Sequence, residues 1–119
     1  MDHRTAVTVY HNPMCSKSRQ TLDLLREQGV DPDIVPYLEQ PPDEATLRRL
    51  LSMLNMRPAD LLRRQEPAFR DLDLASKLDD DDALIAAMIA HPVLMERPIV
   101  VHGERARIGR PPEAVNEIL

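Results

Sequence analysis

The first 38 residues of the chain most strongly constrain its fold. An apolar, strand-like run at residues 6–11 precedes a helical pattern at about 16–28, and a second strand-like run occupies residues 33–38. Gly29 is a typical stop for the helix, and Pro36 lacks the N–H that a central strand would need. Strand, helix and strand with short connections predict a right-handed βαβ unit with two parallel strands, the second at an edge or ending near Pro36.

The rest of the chain alternates short helices with a second pair of strands. A stripe of leucines after Asp43 predicts one helix, Pro58 opens a shorter one, and a third spans about 81–90, whereas residues 64–80 look irregular. Strands at 99–102 and 106–108 around Gly103 predict an antiparallel hairpin, and a closing helix starts at Pro111. This order predicts an α/β fold: a mixed four-stranded sheet with a helical insertion, about 43–94, between strands 2 and 3.

Composition and charge exclude several classes of function. At 119 residues we expect one domain, 1–119, and a net charge of −5 with 3% aromatic residues argues against nucleic-acid binding. No run reaches membrane-spanning length and the N-terminus lacks the apolar core of a signal peptide, so we expect a cytoplasmic protein without membrane association. We also expect a monomer, because the helices and the sheet can cover each other's apolar faces.

Cys15 is the one cysteine in the chain, and it lies where the first strand gives way to the first helix. Unpaired N–H groups and the positive dipole end at a helix N-terminus favour a thiolate, which is the nucleophilic form. Cys15 is therefore a candidate catalytic residue, the alternative being a buried cysteine that acts as a small apolar side chain. A single cysteine also excludes an internal disulfide and suggests a reducing compartment.

The surroundings of Cys15 add two further candidates. Ser18 completes a C-x-x-S pattern, and because a hydroxyl cannot form a disulfide, an outside thiol must resolve Cys15 or the cysteine must do other work. His11 precedes Cys15 by four residues and could support the thiolate as a cation or hydrogen-bond donor, or be an ordinary loop histidine. We expect no metal site: the acidic run at 79–82 marks the start of a helix, whose geometry prevents four consecutive carboxylates from converging on one ion.

Four segments of the chain carry motifs in a recognisable order. Residues 10–15 read Y-H-N-P-M-C, residues 37–42 read Y-L-E-Q-P-P, residues 91–101 read H-P-V-L-M-E-R-P-I-V-V, and residues 110–113 read R-P-P-E. They resemble the Y-H-N-P-x-C, Y-L-x-x-P-P, H-P-x-L-x-x-R-P-I-V-V and closing R-P segments of the glutathione- and glutaredoxin-dependent arsenate reductases. That family, the ArsC family, has a thioredoxin-like fold of the glutaredoxin type. The resemblance spans essentially the whole chain.

The resemblance implies a role for each matching residue. Cys15 would attack arsenate and hold a thiol–arsenic adduct, His11 would aid thiolate formation, and Pro98 matches the cis-proline position of the fold. Three arginines match the family's oxyanion-binding residues: Arg63, for which the adjacent Arg64 is an alternative, Arg97 and Arg110.

The resemblance also implies the partners of the reaction. Glutathione would attack the adduct on Cys15 and release arsenite, and glutaredoxin would clear the resulting mixed disulfide, so that no bound cofactor is expected. The cellular role would be arsenic detoxification. The motif C-S-K-S-R at residues 15–19 is most similar to a short subgroup of this family.

Two other functions compete with arsenate reduction. Spx-like transcription regulators share the fold and bind RNA polymerase, but those that sense oxidation carry C-x-x-C, and Ser18 removes that switch. A monothiol oxidoreductase that acts on another oxyanion or on a glutathionylated substrate would need the same thiolate and arginines.

Overall fold

The computed structural model describes residues 6–119, which form two compact units. One unit comprises the chain up to Tyr37 together with Arg97–Leu119, and we call it the sheet unit. The other comprises Leu38–Glu96, and we call it the helical unit. The helical unit is thus the segment between the second and third strands, which agrees with the predicted helical insertion.

The sheet unit contains all four strands of a mixed sheet: β1 (Val7–Tyr10), β2 (Asp33–Val35), β3 (Ile99–His102) and β4 (Arg105–Ile108). The order is β2-β1-β3-β4, with β1 and β2 parallel and both β1–β3 and β3–β4 antiparallel. The parallel pair, the hairpin and the edge position of the second strand are therefore confirmed. The expected extent of that strand, 33–38, was wrong: β2 ends at Val35, directly before Pro36, which has no N–H to give to a ladder.

Helix α1 (Ser16–Glu27) covers the sheet and ends as the sequence predicts. Gly29 has a φ of +80°, and the N–H of Val30 donates to the carbonyl of Leu25 at 2.9 Å, which closes the helix C-terminus. The closing helix is a 3₁₀ helix, Pro112–Ile118, which contacts both β4 and α1. These elements bury one apolar cluster: Val7, Val9, Leu22, Leu25, Val100, Val115 and Ile118.

The helical unit contains α2 (Glu44–Leu54), α3 (Pro58–Leu61), α4 (Pro67–Asp71) and α5 (Asp81–Ala90), with short 3₁₀ helices at Leu74–Lys77 and Pro92–Leu94. The leucine stripe of α2 is buried, and Asp43 caps this helix by accepting the N–H of Thr46 at 2.8 Å. Asp80 caps α5 in the same way, so the acidic run begins a helix as expected. The expectation that 64–80 is irregular was wrong, since α4 and a 3₁₀ helix lie there.

Two kinds of feature are missing from the part of the chain that the structure describes. None of its helices has the length and apolarity needed to cross a membrane. No group of three His, Cys, Asp or Glu side chains among residues 6–119 could hold a metal ion.

Candidate active site

The loop between β1 and α1 presents Cys15 as the residue that caps the helix. Cys15 has extended backbone angles, and its carbonyl accepts the N–H of Arg19 at 3.1 Å. Asn12 shapes the loop: its carbonyl accepts the N–H of Cys15 at 3.0 Å and its side-chain oxygen accepts the N–H of Met14 at 2.9 Å. Such an Asx turn holds the loop with local bonds, which is why Asn-Pro suits this position. The thiol is thereby directed at the N-terminus of α1.

Ser18 supports the loop from inside the unit. Its side chain is fully buried, and its hydroxyl accepts the N–H of Asn12 at 3.3 Å. Its backbone N–H, like that of Lys17, favours the charged form of Cys15 and so lowers the pKa of the thiol. Ser18 therefore contributes at both ends: the hydroxyl stabilises the loop, and the backbone stabilises the charged form of Cys15.

Two arginines act on Cys15: Arg97 lies just before β3 and Arg110 just after β4. Arg110 donates through Nη2 to Sγ of Cys15 at 3.5 Å and through Nε to the carbonyl of Arg97 at 2.8 Å. The side chain of Arg97 also favours the charged form of Cys15 and so lowers the pKa of the thiol. Each arginine precedes a proline, and both the Arg97–Pro98 and the Arg110–Pro111 peptide bonds are cis. The sheet thus brings two guanidinium groups to the cysteine that caps α1.

These contacts lower the pKa of the Cys15 thiol below its ordinary value. Burial opposes the charged form, but the N–H of Ser18, the side chain of Arg97, the N–H of Lys17 and the charge of Arg110 together outweigh it. Helix α1 has no acidic residue in its first turn to counteract them. Cys15 is half-buried and remains accessible, so the arrangement is that of a reactive thiolate beside two anion-binding side chains.

His11 follows β1 and is buried, with 8% of its surface exposed. Burial and the positive charges of Arg26 and Arg19 lower the pKa of its imidazole, which favours the neutral ring. Its Nδ1 atom has no hydrogen-bond partner among residues 6–119. A neutral imidazole still donates and accepts hydrogen bonds, so the lowered pKa favours the hydrogen-bonding role over the cationic one.

Arg63 belongs to the helical unit, where two carboxylates bind it. Its Nε donates to Glu66 at 3.2 Å and its Nη1 donates to Glu96 at 2.8 Å. Burial disfavours the charge of Arg63, but these two carboxylates more than compensate and raise its pKa. The neighbouring Arg64 is exposed.

Sequence reasoning missed several residues that build these sites. Glu66 and Glu96 gave no signal, because a carboxylate far away in sequence cannot be paired with an arginine by periodicity. Asn12 was noted only as a turn former, although Asn before Pro is a recognisable Asx-turn signal. Gly109, which lies directly before Arg110, carried no pattern at all.

Comparison with known proteins places the chain in a family. The profile of the ArsC family matches residues 10–118. The chain is 56% identical over 114 residues to the uncharacterized protein YfgD of Escherichia coli (strain K12), covering 95% of this chain and 96% of that protein. It is 42% identical over 113 residues to an arsenate reductase of the same strain, covering 95% of this chain and 80% of that protein.

A solved structure shows the same fold. An arsenate reductase from Vibrio cholerae superposes with a TM-score of 0.94 at 47% identity, covering 98% of this chain and 100% of that chain. The predicted thioredoxin-like architecture is therefore confirmed. Arg110 donates to the sulfur of the single cysteine at the N-terminus of α1, and the family match covers nearly the whole chain. The chain therefore belongs to the ArsC family.

Proposed function

We propose that this protein reduces arsenate to arsenite with Cys15 as its nucleophile. One observation carries the proposal: Arg110 donates to the sulfur of Cys15 at 3.5 Å, where the side chain of Arg97 also lowers the pKa of the thiol, so a thiolate meets anion-binding groups. Guanidinium groups match tetrahedral oxyanions, and the thiolate is the attacking form of cysteine. The names of the relatives in E. coli and Vibrio cholerae indicate which oxyanion to test first.

The chemistry proceeds in three balanced steps. The thiolate sulfur of Cys15 attacks arsenic(V), and one arsenate hydroxyl takes up a proton from solvent and leaves as water, which gives a Cys15–S–As(V) adduct. The thiolate of glutathione then attacks the sulfur of Cys15; the S–As bond breaks, its electron pair goes to arsenic, and arsenous acid leaves. Arsenic gains two electrons, and the two thiols become one mixed disulfide. Glutaredoxin attacks the glutathione sulfur of that disulfide and returns Cys15 to the thiolate.

Each site residue has a distinct part in this proposal. Arg97 and Arg110 bind the arsenate oxygens and stabilise the thiolate before substrate arrives. Arg63, through the resemblance, is the third oxyanion-binding arginine. Its present carboxylate partners, Glu66 and Glu96, would then compete with the substrate for its guanidinium group. Neutral His11 aids the loop or the proton transfer by hydrogen bonding.

The test is arsenate-dependent oxidation of NADPH, coupled through glutathione, glutaredoxin and glutathione reductase. We expect turnover by the parent protein and none by Cys15→Ser, which keeps a hydroxyl of similar size but no thiolate. Ser16→Ala is the control, because Ser16 is exposed in the first turn of α1. Turnover by Cys15→Ser, or none by a folded parent with a titratable thiol, would overturn the proposal.

A second candidate function is reduction of another oxyanion or of a glutathionylated substrate. Two observations favour it. The 56% identical relative has no named activity. Arg63 is already paired with the carboxylates of Glu66 and Glu96, which would compete with arsenate for it. The same coupled assay distinguishes the two. Turnover with chromate, selenate or a glutathionylated peptide but not with arsenate would select the second function.

A further inference from the structure

Gly109 occupies a position that has no room for a side chain. It is buried and follows β4 directly, with its N–H donating to the carbonyl of Pro98 at 3.0 Å. A Cβ atom on Gly109 would overlap the hydroxyl oxygen of Thr21 and lie 2.9 Å from Cγ of Pro98, closer than real Cβ atoms approach other heavy atoms. The backbone at Gly109 therefore lies directly against Thr21 of helix α1.

Neither neighbour of Gly109 can move aside easily. Thr21 is completely buried in the middle of α1, and its β-branched side chain is restricted in χ1. Pro98 is buried, and its ring has no free rotation to make room. In a close-packed interior an added methyl group forces side chains off their rotamers or shifts the backbone. Because neither neighbour can rotate aside, a Cβ at this position would push the end of β4 away from α1.

The residue after Gly109 is the one that contacts the thiolate. Arg110 reaches Cys15 at 3.5 Å and the carbonyl of Arg97 at 2.8 Å, and both contacts depend on where its backbone lies. Cys15 caps the same helix in which Thr21 lies, so a shift of Gly109 away from Thr21 would also carry Arg110 away from Cys15.

We propose that Gly109 is a positioning residue: the absence of a Cβ lets the end of β4 approach Thr21 closely enough for Arg110 to bind the thiolate of Cys15. The inference rests on the thiolate site of the proposed function but not on its substrate. It attributes to Gly109 a specific action on Arg110, beyond a general contribution to packing.

The hydroxyl of Thr21 offers a way to separate these roles. This atom is buried and has no hydrogen-bond partner within residues 6–119, so no bond in the described chain is lost with it. Thr21→Ala removes the atom that a Cβ on Gly109 would overlap, and the new methyl group could then move away from Pro98. Thr21→Val puts a methyl group where the hydroxyl was and keeps the overlap, which makes it the matched control.

The experiment measures the pH dependence of Cys15 alkylation by iodoacetamide, with thermal unfolding recorded for every variant. We expect Gly109→Ala to raise the thiol pKa by about one unit, the shift expected for loss of one guanidinium contact, so that alkylation at pH values below the parent's thiol pKa slows roughly tenfold. Gly109→Ala with Thr21→Ala should return the pKa to that of Thr21→Ala alone. Gly109→Ala with Thr21→Val should not.

A further variant tests whether Gly109 acts through Arg110. In an Arg110→Ala background, Gly109→Ala should leave the thiol pKa where Arg110→Ala puts it. A folded Gly109→Ala protein with lower thermal stability but the parent thiol pKa would overturn the proposal, as would an additional full shift in the Arg110→Ala background.

Failure of Gly109→Ala to fold would still give an answer. The comparison then moves to Gly109→Ala with Thr21→Ala, which should fold and alkylate as Thr21→Ala does. A double variant that also fails to fold, or that folds with a raised pKa, would overturn the pairing of Gly109 with Thr21. Because alkylation needs no arsenate, a protein that lacks arsenate reductase activity can still confirm or refute this inference.

Discussion

Replacing Arg110 with alanine should raise the pKa of the Cys15 thiol. Arg110 donates to Sγ at 3.5 Å, and its positive charge is among the causes that hold this pKa below its ordinary value. Alanine removes both the charge and the donor. Arg97 and the N–H groups of Ser18 and Lys17 would still stabilise the thiolate, so the shift should be partial.

The geometry gives the size of the shift. Arg110 is exposed, so the dielectric constant of water, about 80, applies, and two unit charges 3.5 Å apart then attract by about 1.2 kcal/mol. One pKa unit corresponds to about 1.36 kcal/mol, which makes the expected rise a little under one unit. Because the thiol pKa is lower in the folded protein than in the unfolded chain, the thiolate stabilises the fold at pH values above the ordinary thiol pKa. This contribution is lost as the pH falls through the pKa of the folded protein.

Thiolate absorbance near 240 nm, followed across a pH titration, measures this pKa directly. Arg107→Ala is the control, because Arg107 lies on β4 but binds Glu117 at 2.7 Å instead of Cys15. We expect the thiol pKa of Arg107→Ala to match the parent. An unchanged pKa in Arg110→Ala, or an equal rise in Arg107→Ala, would refute the assignment of Arg110 to the thiolate.

Two further substitutions test the supports of the site. Ser18→Ala leaves the buried N–H of Asn12 without its acceptor and should lower the free energy of unfolding by about 1–3 kcal/mol in urea titrations, whereas the exposed Ser16→Ala should change it by less than about 0.5 kcal/mol. Arg63→Ala leaves two carboxylates, 20% and 27% exposed, without their cation and should lower the free energy of unfolding by about 1–3 kcal/mol. Its control, the exposed Arg64→Ala, should have a free energy of unfolding close to that of the parent. In the coupled assay Arg63→Ala should also raise KM for arsenate; a KM equal to the parent's would leave Arg63 a structural residue.

The sequence predicts the fold well where the signals are local and repeated. Alternating apolar residues and the helical pattern that ends at Gly29 predict β1 and α1, and the hairpin follows from the turn at Gly103. Prediction fails where an element is too short to show a period. Helix α4 has five residues and buries no side chain, so nothing in its pattern distinguishes it from a loop.

The residues of the candidate site are likewise predictable only where they are close together in the sequence. Cys15 could be placed at a helix N-terminus because strand, loop and helix are neighbours in the sequence. The contact from Arg110 spans 95 positions of sequence, so only the resemblance to a family brought the two residues together. The ion pairs of Arg63 and the close approach of Gly109 to Thr21 depend on tertiary packing, so neither residue type nor spacing predicts them.

Ser18 determines how many outside thiols the proposed reaction needs. Ser18 occupies the position that a resolving cysteine would have in a C-x-x-C motif. Its buried hydroxyl instead accepts the N–H of Asn12 and stabilises the loop. A mixed disulfide on Cys15 therefore persists until a second molecule attacks it. Cys15 is half-buried and its neighbour Met14 is 85% exposed, which leaves the sulfur accessible to such a molecule. Because the first outside thiol forms the disulfide and another must break it, each turnover consumes two outside thiols, matching the two electrons that arsenic(V) gains.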